Sequence, residues 1–169
     1  ATVALNGVAL MSDHPALGGC APTGEWVGDI CAPAAERELG GLLEWWTSSA
    51  AGLHQGWTVR DAPTMHEGST LTVRLAVRAG ALMSVDASGQ GATFTGTTGQ
   101  LWRYEDLVAW DAQGRLLDAQ LVAALPDLLV QVNTRGAHWP ITIDPILAPL
   151  DESNPNCACT ARAAPAPQI

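Results

Sequence analysis

The sequence of 169 residues contains no lysine; its eight basic residues are all arginines, against 17 acidic residues, for a net charge of −9. Without lysine, the chain cannot contain a phosphate-binding loop of the Gly-x4-Gly-Lys type. An acidic surface repels nucleic-acid phosphates and anionic lipid head groups, so neither is an expected partner. Solubility is the simplest role for this charge.

Long apolar runs are also missing. No stretch approaches the roughly 20 uninterrupted apolar residues that a membrane-spanning helix needs, so we expect no transmembrane segment. Hydrophobic residues nevertheless make up 47% of the chain, which is enough for a core. The length suits one domain with tails.

Catalytic signatures are absent as well. The sequence has neither Gly-x-Ser-x-Gly nor His-Glu-x-x-His, and neighbouring acids on a strand face opposite sides, so they make poor acid–base pairs. We therefore expect no enzyme, no catalytic residues and no cofactor. The histidines, which show no metal-ligand spacing, are His14, His54, His66 and His138. No metal site is predicted, although calcium remains an alternative at Asp106, Asp111, Asp118 or Asp144.

Four cysteines indicate an oxidising compartment. Cys20 and Cys31 bracket a Gly/Pro-containing loop within residues 13–36, and we predict a disulfide between them. Cys157 and Cys159 are too close for an unstrained bridge and are predicted to form disulfides with other partners. The alternative is zinc bound by the four thiols, although Cys-x-Cys is not the usual Cys-x2-Cys spacing. The absence of an initiator methionine before Ala1 agrees with removal of a signal peptide or with a trimmed chain.

Short alternating segments separated by glycine turns dominate the middle of the chain. The clearest is 70–78, where Leu71, Val73, Leu75 and Val77 alternate with polar residues, as a half-buried antiparallel strand requires. Turns are predicted at 88–91 and 111–114. Further strands are predicted over 81–86, 92–95, 100–110, 128–133 and 138–144.

Two segments carry mixed signals. Leucine and alanine in 116–125 favour a helix, but the neighbours on both sides are short strands, so we predict a strand. Pro140 has no amide hydrogen, so the strand over 138–144 should lie at a sheet edge or be interrupted there.

The alternation of apolar residues in 1–12 predicts one extended strand, which we expect to pack on another subunit. Asn6-Gly7 interrupts the alternation, and a bulge at Gly7 would keep the apolar residues of both halves on one face. The predicted assembly contacts are Val3, Leu5, Val8 and Leu10.

Seven tryptophans, against one tyrosine and one phenylalanine, are unusual. Exposed tryptophans can stack on sugar rings, whereas tryptophans in strands are more often buried in the core. Both interpretations stay open at this point.

Several motifs in order resemble an extracellular β-sandwich module that precedes FG-GAP, integrin-like repeats in myxobacterial-type surface proteins. The resemblance covers roughly residues 37–147 and implies no catalytic residues. No such repeats follow Pro145 in this chain. The motifs that carry it are Leu43-Glu44-Trp45-Trp46, Ala51-Gly52-Leu53-His54-Gln55-Gly56-Trp57-Thr58-Val59, Leu71-Thr72-Val73-Arg74-Leu75-Ala76-Val77, Leu101-Trp102-Arg103-Tyr104-Glu105-Asp106-Leu107, Asp111-Ala112-Gln113-Gly114-Arg115 and Gly136-Ala137-His138-Trp139-Pro140-Ile141-Thr142-Ile143-Asp144-Pro145.

These observations predict an all-β chain: an N-terminal strand and disulfide loop over 1–36, an antiparallel β-sandwich over 37–147, and a Pro/Cys-containing tail over 148–169. The expected function is a secreted structural subunit that self-associates into a fibre or surface assembly by exchanging its terminal strand or tail. The alternative is a monomeric extracellular adhesion module that binds a glycan or a surface protein.

Overall fold

The structure is a computed structural model that describes side chains in residues 35–47, 53–63, 68–77 and 81–150. In residues 3–34 and at Ser48 it describes the backbone of the strands but not the side chains. This described part contains fifteen strands and no helix, and its strand pairs are antiparallel. It therefore contains no helix that could cross a membrane.

Two large sheets hold nearly all the strands. The five-stranded sheet has the order β13 (Ala119–Ala124), β14 (Asp127–Asn133), β9 (Thr70–Ala76), β1 (Val3–Leu5) and β2 (Val8–Leu10). The eight-stranded sheet has the order β10 (Leu82–Val85), β11 (Ala92–Thr95), β12 (Leu101–Trp110), β15 (Ile141–Pro149), β8 (Leu53–Val59), β7 (Leu42–Ser48), β6 (Pro33–Leu39) and β3 (Ala16–Cys20). A separate pair consists of β4 (Trp26–Val27) and β5 (Ile30–Cys31).

The apolar faces of the two large sheets form one core, as the predicted β-sandwich requires. In β9 the alternation is confirmed, because Leu71, Val73 and Leu75 are buried and Arg74 is exposed. The segment 116–125 is also confirmed as a strand, since β13 spans most of it and pairs with β14 along its whole length. From the eight-stranded sheet the core receives Leu39, Leu42, Trp57, Val59, Tyr104, Ala109, Ile141 and Ile143, among others.

Prolines set the ends and the register of β15. The strand begins immediately after Pro140 and lies between β12 and β8, so the interruption at Pro140 is confirmed and the edge position is wrong. Pro145 lies inside this central strand, where it cannot donate a ladder hydrogen bond. β12 accommodates it with a bulge, since the register shifts between Glu105 and Val108, and Asp106 takes a φ of 52°.

The N-terminal region differs from the prediction. Leu5 pairs with Val8 and Val3 with Leu10, so β1 and β2 form an antiparallel hairpin pair and are not parts of one extended strand. The predicted bulge at Gly7 lies outside the described residues. The sequence signal was present, because Asn-Gly between two apolar runs is the strongest short-range indicator of a two-residue hairpin turn.

The predicted loop over 13–36 is also wrong, since β3, β4, β5 and the start of β6 lie within it. Strands from residues 1–36 join both large sheets, and β15 continues to Pro149. The strands thus extend beyond 37 and 147, the predicted limits of the sandwich. Of the predicted tail, residues 151–169 lie outside the described residues.

Candidate functional site

A carboxylate lies on the interior face of the eight-stranded sheet. Glu44 is opposite Trp57, a core residue, so it shares the core face, and its side chain is fully buried. Arg37 is opposite Glu44 on β6 and donates from Nε to Oε2 of Glu44 at 2.9 Å; its Nη2 contacts the same oxygen. A buried carboxylate is costly unless it is paired and hydrogen-bonded. Arg37 therefore makes this position of Glu44 possible.

A hydrogen-bond chain continues from Glu44 across the sheet. Gln55 donates from Nε2 to Oε1 of Glu44 at 2.8 Å, and the Tyr104 hydroxyl donates to Oε1 of Gln55 at 3.2 Å. Burial, and after it the negative charges of Glu44 and Asp144, holds the pKa of Tyr104 well above its usual 10.0. Tyr104 is therefore protonated at neutral pH and acts as a donor. We call Arg37, Glu44, Gln55 and Tyr104 the polar chain.

An apolar groove of about 380 Å³ opens between the two sheets beside Gln55 and Tyr104. Its aromatic wall contains Phe94 and Tyr104, whose rings meet edge to face with centroids 6.2 Å apart, and Trp102. At its rim Leu53 is 40% exposed, which is unusual for a leucine on a core-facing strand position. The full lining is Leu53, Gln55, Leu75, Ala76, Val77, Phe94, Trp102, Tyr104, Leu128 and Leu147.

The opposite face of the same strands holds a second polar pair. His54 follows the alternation of β8 away from the core face, and its Nδ1 lies 3.1 Å and 3.3 Å from the two carboxylate oxygens of Asp144 on β15. Both side chains are largely buried, with 14% and 11% exposure. This pair links β8 to β15 where Pro145 interrupts the ladder.

Gly56 makes room for the large side chain of Trp45 on the outer face of the eight-stranded sheet. Gly56 pairs with Trp45, which is fully buried. A Cβ at position 56 would fall within the Trp45 indole ring, so only glycine leaves room for the ring to lie across the strand. Each residue of the stretch His54-Gln55-Gly56-Trp57 thus has its own role. His54 contacts Asp144 on the outer face, and Gln55 belongs to the polar chain. Gly56 leaves room for the Trp45 ring, and Trp57 packs in the core.

The predicted disulfides lie outside the described side chains. The backbone places Cys20 at the end of β3, paired with Pro33, and Cys31 in β5, paired with Trp26. Cys157 and Cys159 lie outside the described residues. The disulfide predictions therefore stay predictions.

The four aspartates considered for calcium are not brought together. Within the described ranges, no group of three or more His, Cys, Asp or Glu side chains is arranged to hold a metal ion. Asp111 instead accepts hydrogen bonds from the backbone N–H groups of Gln113, Arg115 and His138, at 2.9, 3.0 and 3.2 Å. Burial opposes ionisation of this carboxyl, but those hydrogen bonds outweigh it and lower the pKa of Asp111 below its usual 3.8.

The tryptophans divide between the two interpretations. Trp45 and Trp57 are fully buried and cannot stack on a sugar from solution. Trp102 is half-buried and lines the groove. Among the tryptophans whose side chains the structure describes, the half-buried ones are Trp46, Trp102, Trp110 and Trp139.

No protein-family model, curated protein or solved structure matches this chain. Sequence reasoning did not identify the polar chain, although Glu44 stood out as a lone charge among Leu42, Leu43, Trp45 and Trp46.

Proposed function

We propose that this chain is a secreted, non-enzymatic β-sandwich subunit that associates with its own copies by exchanging its N-terminal hairpin. The resemblance to an extracellular surface module and the cysteine content agree with this role. The observation that carries the proposal is the unequal pairing of the two sides of β9.

On one side, β14 pairs with all seven residues of β9, from Thr70 to Ala76. On the other side, β1 pairs with three of them, Val73, Arg74 and Leu75. The hairpin formed by β1 and β2 has three residue pairs of its own. Such a short hairpin is marginally stable by itself, so its place in the sheet depends on β9.

Exchange would preserve every contact of the hairpin. If β1 of one copy pairs with β9 of another, the same hydrogen bonds form. The free-energy cost is then the translational and rotational entropy that the two chains lose on association. An edge that accepts a strand from a neighbour is a general mode of association. A repeated head-to-tail exchange would give a fibre.

The register of the hairpin supports a role in assembly for the four apolar residues predicted from the sequence. Val3 and Leu5 lie opposite Leu75 and Val73, two core residues, and Leu10 and Val8 lie opposite Val3 and Leu5. Because cross-strand partners share one face of a sheet, all four positions belong to the core face. A donated hairpin would therefore bring four apolar positions to the acceptor's core.

The test compares two charges on the two faces of β1 in the full chain. Leu5→Glu places a carboxylate at a core-face position and should abolish self-association. Ala4→Glu places the same charge opposite exposed Arg74 and should leave it intact. Size-exclusion chromatography with light scattering at micromolar concentration measures both. A monomeric wild type, or equal behaviour of the two variants, would reject the proposal.

The groove favours one rival, a monomeric binding module. A concave apolar site with one or two placed polar groups is the usual form of a ligand site, and Gln55 with Tyr104 supplies those groups here. A wild type that is monomeric but binds a glycan or a surface protein in an array would support this alternative.

A further inference from the structure

We propose that the groove receives the Ala/Pro-rich end of this chain's own C-terminal tail, residues 163–167. The inference extends the proposed function by giving the tail a binding surface, and it does not depend on exchange of the N-terminal hairpin. Four observations point to this occupant: the apolar wall, the donor at Gln55, the exit point of the chain and the sequence of the tail.

The wall of the groove suits proline. Phe94, Trp102 and Tyr104 present aromatic surface between two sheets, and Leu53, Val77 and Leu147 add aliphatic surface. Proline-rich segments bind such aromatic-lined grooves because their extended polyproline conformation is already formed, which lowers the entropy lost on binding.

The polar group in the groove is of the right kind. Proline lacks an N–H, so a proline-rich segment brings backbone carbonyl acceptors and few donors. Nε2 of Gln55 carries two hydrogens, of which Glu44 accepts one, and Tyr104 fixes the orientation of the amide through Oε1. The second hydrogen can serve a carbonyl of the bound segment.

The chain leaves the sandwich beside the groove. The backbone N–H of Leu150 donates to the carbonyl of Leu101 at 3.0 Å, next to groove residue Trp102, and Leu147 lines the groove itself. Residues 151–162 then precede the sequence Ala163-Ala164-Pro165-Ala166-Pro167. A linker of this length spans on the order of 20 Å, which is enough to return to the groove.

The tethered segment has an advantage over any free ligand. A linker of this length gives an effective concentration in the millimolar range. Even a weak contact between the tail and the groove would then be largely formed within one chain. A peptide from another source would have to compete with it.

The experiment titrates a fluorescently labelled peptide of residues 160–169 into two full-length proteins, the wild type and the double variant Pro165→Gly/Pro167→Gly. The peptide should bind the variant about tenfold more tightly, because the variant's own tail no longer competes. This difference should not depend on protein concentration. A control peptide with both prolines replaced by glycine should bind neither protein.

Two further substitutions in the tail variant locate the binding site. Leu53→Glu charges the exposed rim of the groove and should abolish peptide binding. Leu116→Glu changes a leucine that is 67% exposed and does not line the groove, so it should leave binding unchanged. Equal affinity of the peptide for wild type and tail variant, no binding to either, or binding that survives Leu53→Glu would overturn the inference. None of these results depends on self-association, which chromatography reports separately.

Discussion

The two ends of the sandwich interior are built differently. Along β8 the core-face positions change from Val59 and Trp57, both fully buried, to half-buried Gln55 and then to Leu53, which is 40% exposed. The same change occurs from fully buried Leu71 in β9 to half-buried Val77, just after the end of that strand. One end is closed by apolar packing, and the other holds the polar chain and the groove. The groove, which is the proposed binding site of the tail, lies at the end where close apolar packing stops.

The largest effect is expected from breaking the polar chain. Arg37→Met leaves the fully buried carboxylate of Glu44 without its cation and should lower the free energy of unfolding by about 3–5 kcal/mol. The double variant Arg37→Met/Glu44→Leu should recover more than half of that loss, because no uncompensated charge remains. Urea unfolding followed by tryptophan fluorescence measures both.

A matched control exists on the surface. Arg74 pairs with Asp127 at 3.3 Å with half of its side chain exposed, so Arg74→Met should cost less than about 1 kcal/mol. If Arg37→Met lowers the free energy of unfolding no more than this control does, then the polar chain does not stabilise the open end of the interior more than a surface ion pair would.

The second prediction compares apolar truncations at the two ends. Ile143 is fully buried in the closed end, and Ile143→Ala should cost about 2–5 kcal/mol because it leaves a cavity. Leu147 follows on the same face of β15 but lines the open groove, so Leu147→Ala should cost less than about 2 kcal/mol. Urea unfolding with equal m-values tests the difference. Equal costs would mean that the groove is as tightly packed as the core.

The smallest effect is expected at the junction of the polar chain and the groove. Tyr104→Phe removes the hydroxyl that donates to Gln55 and should cost about 1 kcal/mol. Urea unfolding of the variant and the wild type at neutral pH measures this cost. When Tyr104→Phe is added to the Pro165→Gly/Pro167→Gly variant, the protein should also bind the tail peptide more weakly, because the Gln55 amide is no longer held in place.

The same residue gives a pH dependence that can be measured directly. Tyr104 is the single tyrosine of the chain, so the absorbance of tyrosinate reports it alone. Because burial raises the pKa of Tyr104, the folded protein keeps its proton when the unfolded chain loses it near pH 10. Its contribution to stability is therefore full below that pH and falls as pH rises above it. A tyrosine that titrates near 10.0 in the folded protein would contradict the buried position.

The closed end could be predicted from the sequence, and the open end could not. The alternation in β9 identified its core positions because a period of two needs only local information. The same reasoning fails in β7, where apolar residues flank Glu44 on both sides and no alternation shows which face it occupies. Its neighbours Arg37, Gln55 and Tyr104 come from three other strands, so the polar chain depends on pairings that sequence patterns do not specify.

Misinterpreted turns explain the remaining differences. Asn6-Gly7 was interpreted as an interruption within one strand, although it joins two paired strands. Gly40 and Gly41, both with positive φ, join β6 to β7, and this hairpin was not predicted. In each case the residues that permit a tight turn were visible, but the pairing on either side of them was not.

The bulge in β12 gives this strand a tolerance to changes in length. Asp106 and Leu107 together lie opposite Pro145, and Asp106 is exposed. Without Asp106, Tyr104 and Leu107 would still face the interior, because Glu105 would alone separate them. One residue can therefore be lost at this bulge without reversing the facing of either half of β12, whereas a loss from a regularly paired part of the strand would reverse the facing of one half.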